Sequence, residues 1–233
     1  MKIGILCAGD REIAPFLPHI DNDRTTTKAM LTFHEGEIFG VPVVALYSGV
    51  CKVNAAIAAQ ILIDQFQVTA ILNAGTAGGM ARDVALFDTV ISTEIAYHDV
   101  DAGILTDFHP WMPTVYFPAD TRLLRIAREI AALDPTVRFG RMVTGERFIT
   151  DDGRDAINSK FSPLSVDMET GSIAHVCYVN QIPFLAIRSI TDTPDHAGTG
   201  YFEQNCPKAA AIAKDLTLAI LCILKGCGHT DQT

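Results

Sequence analysis

The chain has 233 residues, of which 48% are hydrophobic, a content that suits one domain with a large core. Charged residues are 19% and the formal net charge is −9, which makes nucleic acid and anionic membrane surfaces poor partners. Apolar runs such as Val41–Tyr47 are far too short to span a membrane. The opening Met1-Lys2-Ile3-Gly4-Ile5-Leu6 reads as a first strand with no signal-peptide cleavage pattern behind it, so a cytoplasmic location is expected. Six cysteines (Cys7, Cys51, Cys177, Cys206, Cys222 and Cys227) form no C-x-x-C pair and no zinc pattern. Free thiols of a reducing compartment are expected, with no metal and no cofactor.

In chain order, an apolar strand at residues 2–8 is followed by a strand at 31–39 that carries a turn or bulge at Glu35-Gly36-Glu37. A strand at 41–48 leads to a helix at 52–66, which sets Val53, Ala56, Ile57, Gln60, Ile61 and Asp64 in helical register on a mostly apolar face. Strands at 69–73 and 89–95 precede a helix at 121–133 with Leu124, Ala127, Ile130 and Ala131 on one face. A strand at 138–143, a helix at 168–178, a strand at 183–187 and a broadly apolar helix at 208–224 complete the series. Strands alternating with helices predict a largely parallel sheet covered on both faces. Ligands of such sheets sit beyond the carboxyl ends of strands, so chemistry is sought just after the apolar runs.

Four such segments carry candidate chemistry. Ala8-Gly9-Asp10-Arg11-Glu12-Ile13 puts carboxylates at the opening of a short helix, where the macrodipole alone favours them. Asn73-Ala74-Gly75-Thr76-Ala77-Gly78-Gly79 reads equally as an anion or sugar cradle and as a tight turn; it has neither P-loop nor dinucleotide spacing. In Ser165-Val166-Asp167-Met168-Glu169, Asp167 suits a helix cap, whereas Glu169 has two acceptor oxygens that match adjacent ribose hydroxyls. Arg188-Ser189-Ile190-Thr191-Asp192 suits a polar site, a surface ion pair or a helix cap.

Taken jointly and in this order, the segments resemble the 5′-methylthioadenosine/S-adenosylhomocysteine nucleosidases of the purine nucleoside phosphorylase superfamily. The resemblance also covers Ser48-Gly49-Val50-Cys51-Lys52-Val53-Asn54-Ala55-Ala56, Tyr97-His98-Asp99-Val100-Asp101 and Gly145-Glu146-Arg147-Phe148-Ile149. It implies a three-layer αβα sandwich around a twisted mixed sheet, one domain over residues 1–233, a homodimer and no metal. Residue by residue, it implies that Glu12 activates water and Asp192 protonates purine N7. It implies that Met168 and Glu169 hold the ribose, that Phe148 stacks on the base and that Ile149 helps hold it. Arg188 and Thr76 would place the water, and Phe202 would cover the sugar. The loop at 102–113 would line the 5′ pocket of the neighbouring subunit through Phe108, Trp111 and Pro113.

The residue types agree with that chemistry. An adenine anion is a poor leaving group, so a proton on its ring nitrogen is a large gain. Water and a base on the opposite face of a cationic ribose complete an inversion, the two-carboxylate logic of glycosidases applied to a C–N bond. Asp192 must then hold a proton near neutral pH. The chain departs from the family in having Thr76 for a usual Ser, Asp167 for a usual Glu, a different loop at 102–113 and Gly9-Asp10-Arg11 before Glu12. Arg11 is similar to an arginine that holds phosphate in the superfamily's phosphorylases, which makes phosphorolysis the alternative; a solvated helix residue is preferred for it. A non-catalytic nucleoside-binding protein is disfavoured, because binding alone needs no pair like Glu12 and Asp192. His98, Asp99 and Asp101 read as structural rather than as metal ligands.

Overall fold

The computed structural model describes residues 1–108, 112–132, 134–150, 153–196 and 198–226. Its strands are β1 (Ile3–Cys7), β2 (Asp21–Lys28), β3 (Leu31–Ile38), β4 (Val41–Tyr47), β5 (Ala70–Gly79), β6 (Thr89–Tyr97), β7 (Tyr116–Pro118), β8 (Val137–Thr144), β9 (Ser165–Asp167) and β10 (Phe184–Asp192). Its helices are α1 (Asp10–Ile13), α2 (Lys52–Asp64), α3 (Ala102–Asp107), α4 (Thr121–Ile130), α5 (Arg154–Phe161), α6 (Thr170–Val179) and α7 (Thr199–Lys225).

Period-2 alternation explains why the central strands are apolar on both faces. In β1, Ile3, Ile5 and Cys7 enter one core cluster and Leu6 the other; in β4, Val43 and Ala45 oppose Val44 and Leu46. One cluster is covered by Ala55, Ala58, Ala59 and Leu62 of α2 and by Ile173, Ala174 and Cys177 of α6. The opposite one is covered by Ile13 of α1, Leu123, Ile126 and Ala127 of α4, and Ala213, Leu218, Ile220 and Leu221 of α7. Helices on both faces of one sheet make the αβα sandwich that was expected.

The sheet is mixed, as expected. β1 pairs in parallel with β4 and β5, β5 with β10, and β8 with β6 and β9. Antiparallel pairs join β10 to β6, β5 to β9, β6 to β7, and β3 to β2 and β4. β5, β10, β6, β8 and β9 therefore close a ring, from which β1, β4, β3 and β2 extend. Ring closure has a consequence for the site. β5 runs past its apolar start to Gly79 because it gains β9 as a second neighbour, and β10 runs alongside it to Asp192. The glycine-rich segment is therefore neither a turn nor a loop but the end of a central strand.

Other differences from expectation have equally local causes. β2, Asp-Asn-Asp-Arg-Thr-Thr-Thr-Lys, has no apolar residue; it is an exposed edge strand, whose charges keep other edges off. α7 begins nine residues before the helix expected from residue 208, since Pro207 lies inside it. β7 and β9 are three residues each, too short to show a period.

Candidate active site

The ends of β1, β5, β9 and β10, the start of α1 and the first half of α7 enclose a cavity of about 500 Å³, within the range of small-molecule sites. Glu12, Thr76, Phe148, Ile149, Met168, Glu169, Asp192 and Phe202 all line it.

Glu12 is held by four donors. Oε2 accepts from the amides of Ala8 at 2.7 Å and Gly9 at 3.1 Å. Oε1 accepts from the amide and the hydroxyl of Thr76, at 2.6 Å and 2.8 Å. A hydroxyl is required at position 76, and the methyl that distinguishes Thr from Ser leaves this contact intact. Gly75 is required for a different reason. A Cβ there would lie 2.5 Å from Glu12 Oε1 and 2.6 Å from Arg188 Nη1, so only glycine lets β5 pass this close.

Behind the wall lies Arg188, fully buried and absent from the cavity surface. Its guanidinium faces three carboxylates: Glu12 at 3.6 Å, Asp167 at 3.3 Å and Glu169 at 3.7 Å. It also donates to Thr170 Oγ1 at 3.1 Å and to the Thr76 carbonyl at 3.3 Å. Burial opposes the charge on Arg188, but Asp167, Glu12 and Glu169 more than offset it and raise its pKa.

Asp167 does two things at once. Oδ1 accepts from the amides of Glu169 and Thr170, just ahead of α6, and from the Thr144 hydroxyl, while Oδ2 meets Arg188. Glu169 is buried at the cavity wall and accepts from the Cys51 amide at 2.9 Å. Its carboxyl is pushed up to about 7, by burial first, against the pull of Arg188 and with Asp167 adding to the rise.

Asp192 ends β10 at a β-bulge. Ile190 pairs with Ala77 and Asp192 with Gly78, so Thr191 is the extra residue that re-aims the carboxyl. Gly78 makes room for it, since a Cβ there would come within 3.1 Å of Asp192 Oδ2. Burial raises the Asp192 pKa above the ordinary aspartate range, against the Thr191 hydroxyl at 2.8 Å and the charge of Arg154. Arg154 is itself buried and fastens the segment beyond Phe148, donating to the carbonyls of Ile149 and Thr150 and to that of Gly79. Phe148 is 39% exposed and meets Phe202 edge-on, with ring centroids 6.2 Å apart.

A deep cluster of carboxylates around one cation, a carboxyl held toward its neutral form and an aromatic rim together suit a polar, ring-bearing ligand that needs acid–base chemistry. Comparison with known proteins identifies the class. Residues 2–221 match the model of the phosphorylase superfamily. A 5′-methylthioadenosine/S-adenosylhomocysteine nucleosidase of Anoxybacillus flavithermus is 38% identical over 223 residues, 93% of this chain and 96% of the relative. The chain belongs to this nucleosidase family. The Streptococcus pneumoniae nucleosidase bound to the transition-state inhibitor MT-ImmA superposes with a TM-score of 0.89 at 33% identity, over 96% of this chain and all of that one. A futalosine hydrolase of Helicobacter pylori gives 0.86 at 26% identity, over 95% and 97%.

Of the residues expected to form this chain's own site, the structure brings all together at the cavity except Arg188, which reaches it only through the carboxylates it pairs with. Phe108 is 79% exposed and Pro113 is exposed, and neither lines this cavity; Trp111 lies outside the described residues. Asp99 is engaged by Lys52 at 2.9 Å and by the Glu146 amide at 2.9 Å. Sequence reasoning missed Cys51, Arg154 and Thr170. They act through a backbone amide, through carbonyls and through a buried hydroxyl, none of which a residue pattern displays.

Proposed function

We propose that the chain hydrolyses the N-glycosidic bond of 5′-methylthioadenosine and S-adenosylhomocysteine, releasing adenine and the 5-thio-substituted ribose. The observation that carries this reading is the pairing of Glu12, locked by four donors, with Asp192, held toward its protonated form, across one cavity. Glu12 takes a proton from water as it attacks C1′, and Asp192 gives a proton to N7 of the departing purine. Met168 and Glu169 hold the ribose, Phe148 stacks on the base beside Ile149, and Phe202 covers the sugar. Thr76 and Arg188 act by fixing Glu12 and, for Arg188, Glu169.

Water is favoured over phosphate by charge. Asp10, Glu12, Asp167, Glu169 and Glu203 outnumber Arg11, Arg147 and Arg188 around the cavity, and a phosphate dianion entering beside Glu12 would meet net negative charge. Arg11 does line the cavity, so the test is direct. Incubation with either nucleoside is expected to yield free thio-ribose at the same rate with and without phosphate. Phosphate-dependent release of a sugar 1-phosphate would establish phosphorolysis, and tight binding without turnover would leave a binding protein.

The assembly that fits best is a homodimer acting in the cytoplasm on a small nucleoside. No helix among the described residues is long and apolar enough to cross a membrane. α2 is apolar on its outer side as well, with Val53 68% and Ile57 44% exposed one turn apart and Val50 beside them at 52%. In this reading a second copy on this face puts Phe108 and Pro113 at the neighbour's 5′ pocket. Light scattering is expected to give a dimer, and Val53→Glu a monomer with reduced activity. A fully active wild-type monomer at assay concentration would contradict it.

A further inference from the structure

Cys51 adopts φ +83° and ψ 161°, a conformation essentially confined to glycine. It stands at the entry to α2, directly at the cavity wall formed by Val50 and Glu169. The surroundings pin this peptide from several sides. The Asn54 side chain donates to the Val50 carbonyl at 2.7 Å, and the Lys52 amide donates to Glu146 Oε1 at 3.2 Å. Lys52 Nζ reaches both oxygens of Asp99 at 2.9 Å, and Asp99 in turn accepts from the Glu146 amide. The one product of this conformation that faces the site is the Cys51 N–H, which meets Glu169 Oε1 at 2.9 Å.

We propose that Cys51 is a positioning residue: its strained backbone, held in place by the Lys52–Asp99–Glu146 clamp, aims the N–H that sets the Glu169 carboxylate for two adjacent ribose hydroxyls. The thiol shares a hydrogen bond with Glu146, and it is the N–H, not the thiol, that meets Glu169. The inference rests on the reading of Glu169 as the ribose carboxylate. It adds that the sugar half of the site is set by a peptide that the side chain at position 51 disfavours. A hydrogen bond to a buried carboxylate loses its value when it points wrongly, and a misplaced Glu169 weakens nucleoside binding by about tenfold. Free adenine has no ribose and does not feel the change.

Six variants test this, five single and one double, read by Tm, by KM for 5′-methylthioadenosine and by Ki for adenine as product inhibitor. Cys51→Ala keeps the strain and Cys51→Gly removes it, and neither keeps the thiol. Cys51→Gly is expected to melt above Cys51→Ala, the reverse of the ordinary order, with KM near wild type in both. Cys51→Val, β-branched, turns the peptide away and is expected to raise KM about tenfold with adenine Ki unchanged within about twofold. Lys52→Met, which weakens the clamp at a partly exposed site, is expected to raise KM about fivefold, and adding Cys51→Gly is expected to restore it. Cys51→Ala melting at or above Cys51→Gly would remove the strain. KM and adenine Ki rising together, or no rescue of Lys52→Met by glycine, would make the segment merely structural. An unchanged KM in Glu169→Ala is a different failure: it would remove the ribose carboxylate itself.

Discussion

Asp192→Asn is expected to fold, to bind 5′-methylthioadenosine and to lose at least about 10²-fold in kcat, some 2.7 kcal/mol of transition-state stabilisation. The side chain keeps its volume, so the pocket that Gly78 opens for it is still filled. Its oxygen still accepts from Thr191, and its amide has the chemistry to donate a hydrogen bond to N7 of a bound purine. What it cannot do is surrender a proton as the C–N bond breaks. The same burial that raises the Asp192 pKa also sets the pH dependence. With Asp192 as the proposed acid, the protonated form is the active one, so activity that depends on it is expected to fall as pH rises through that pKa. The raised value brings this alkaline limb toward neutrality, and Asp192→Asn is expected to lack it. Full kcat in Asp192→Asn would leave the residue a structural role.

Glu12→Gln is expected to lose at least about 10²-fold in kcat as well, for a different reason. An amide accepts no proton from water. The geometry adds a second effect, because all four groups around Glu12 donate: three amides and the Thr76 hydroxyl. The Gln NH₂ therefore faces donors whichever way it turns, except where the hydroxyl reverses its role. A fall in Tm is expected beside the loss of rate, and activity is to be judged on protein shown to be folded by circular dichroism. The double variant is expected to lose less than the product of the single losses, since both groups serve one transition state. Near-normal turnover by folded Glu12→Gln would remove the proposed base and reopen phosphorolysis.

How far these features can be read from sequence differs by residue. The apolar strands and the helix faces were legible because burial on both sides imposes long Val, Ile and Leu runs and a 3.6-residue stripe. Glu12, Glu169 and Asp192 were legible only jointly, through the order in which they follow strands. Each one alone fits helix capping or a surface pair equally well; Asp167 lies two residues before the N-cap of α6, where it accepts from the Glu169 and Thr170 amides and pairs with Arg188. The extension of β5 through Gly75-Thr76-Ala77-Gly78-Gly79 was not legible, because glycines that make room for Glu12 and Asp192 look like glycines that make a turn. β2 was hidden by its polar sequence, and the bulge before Asp192 by having no residue signature at all. Arg188 was expected to help place the water, and its position behind the cavity wall was not legible, because a residue pattern does not show which way a buried side chain turns.

The central claim is that Asp192 and Glu12 serve opposite sides of one bond, the first assisting the leaving group and the second the water. The measurement that separates them is turnover of a p-nitrophenyl riboside bearing the 5′-methylthio group, whose leaving group departs without protonation. Asp192→Asn is expected to hydrolyse it at close to the wild-type rate, while Glu12→Gln remains slow by at least about 10²-fold. An Asp192→Asn variant as impaired on this substrate as on 5′-methylthioadenosine would contradict the assignment of Asp192 as the acid.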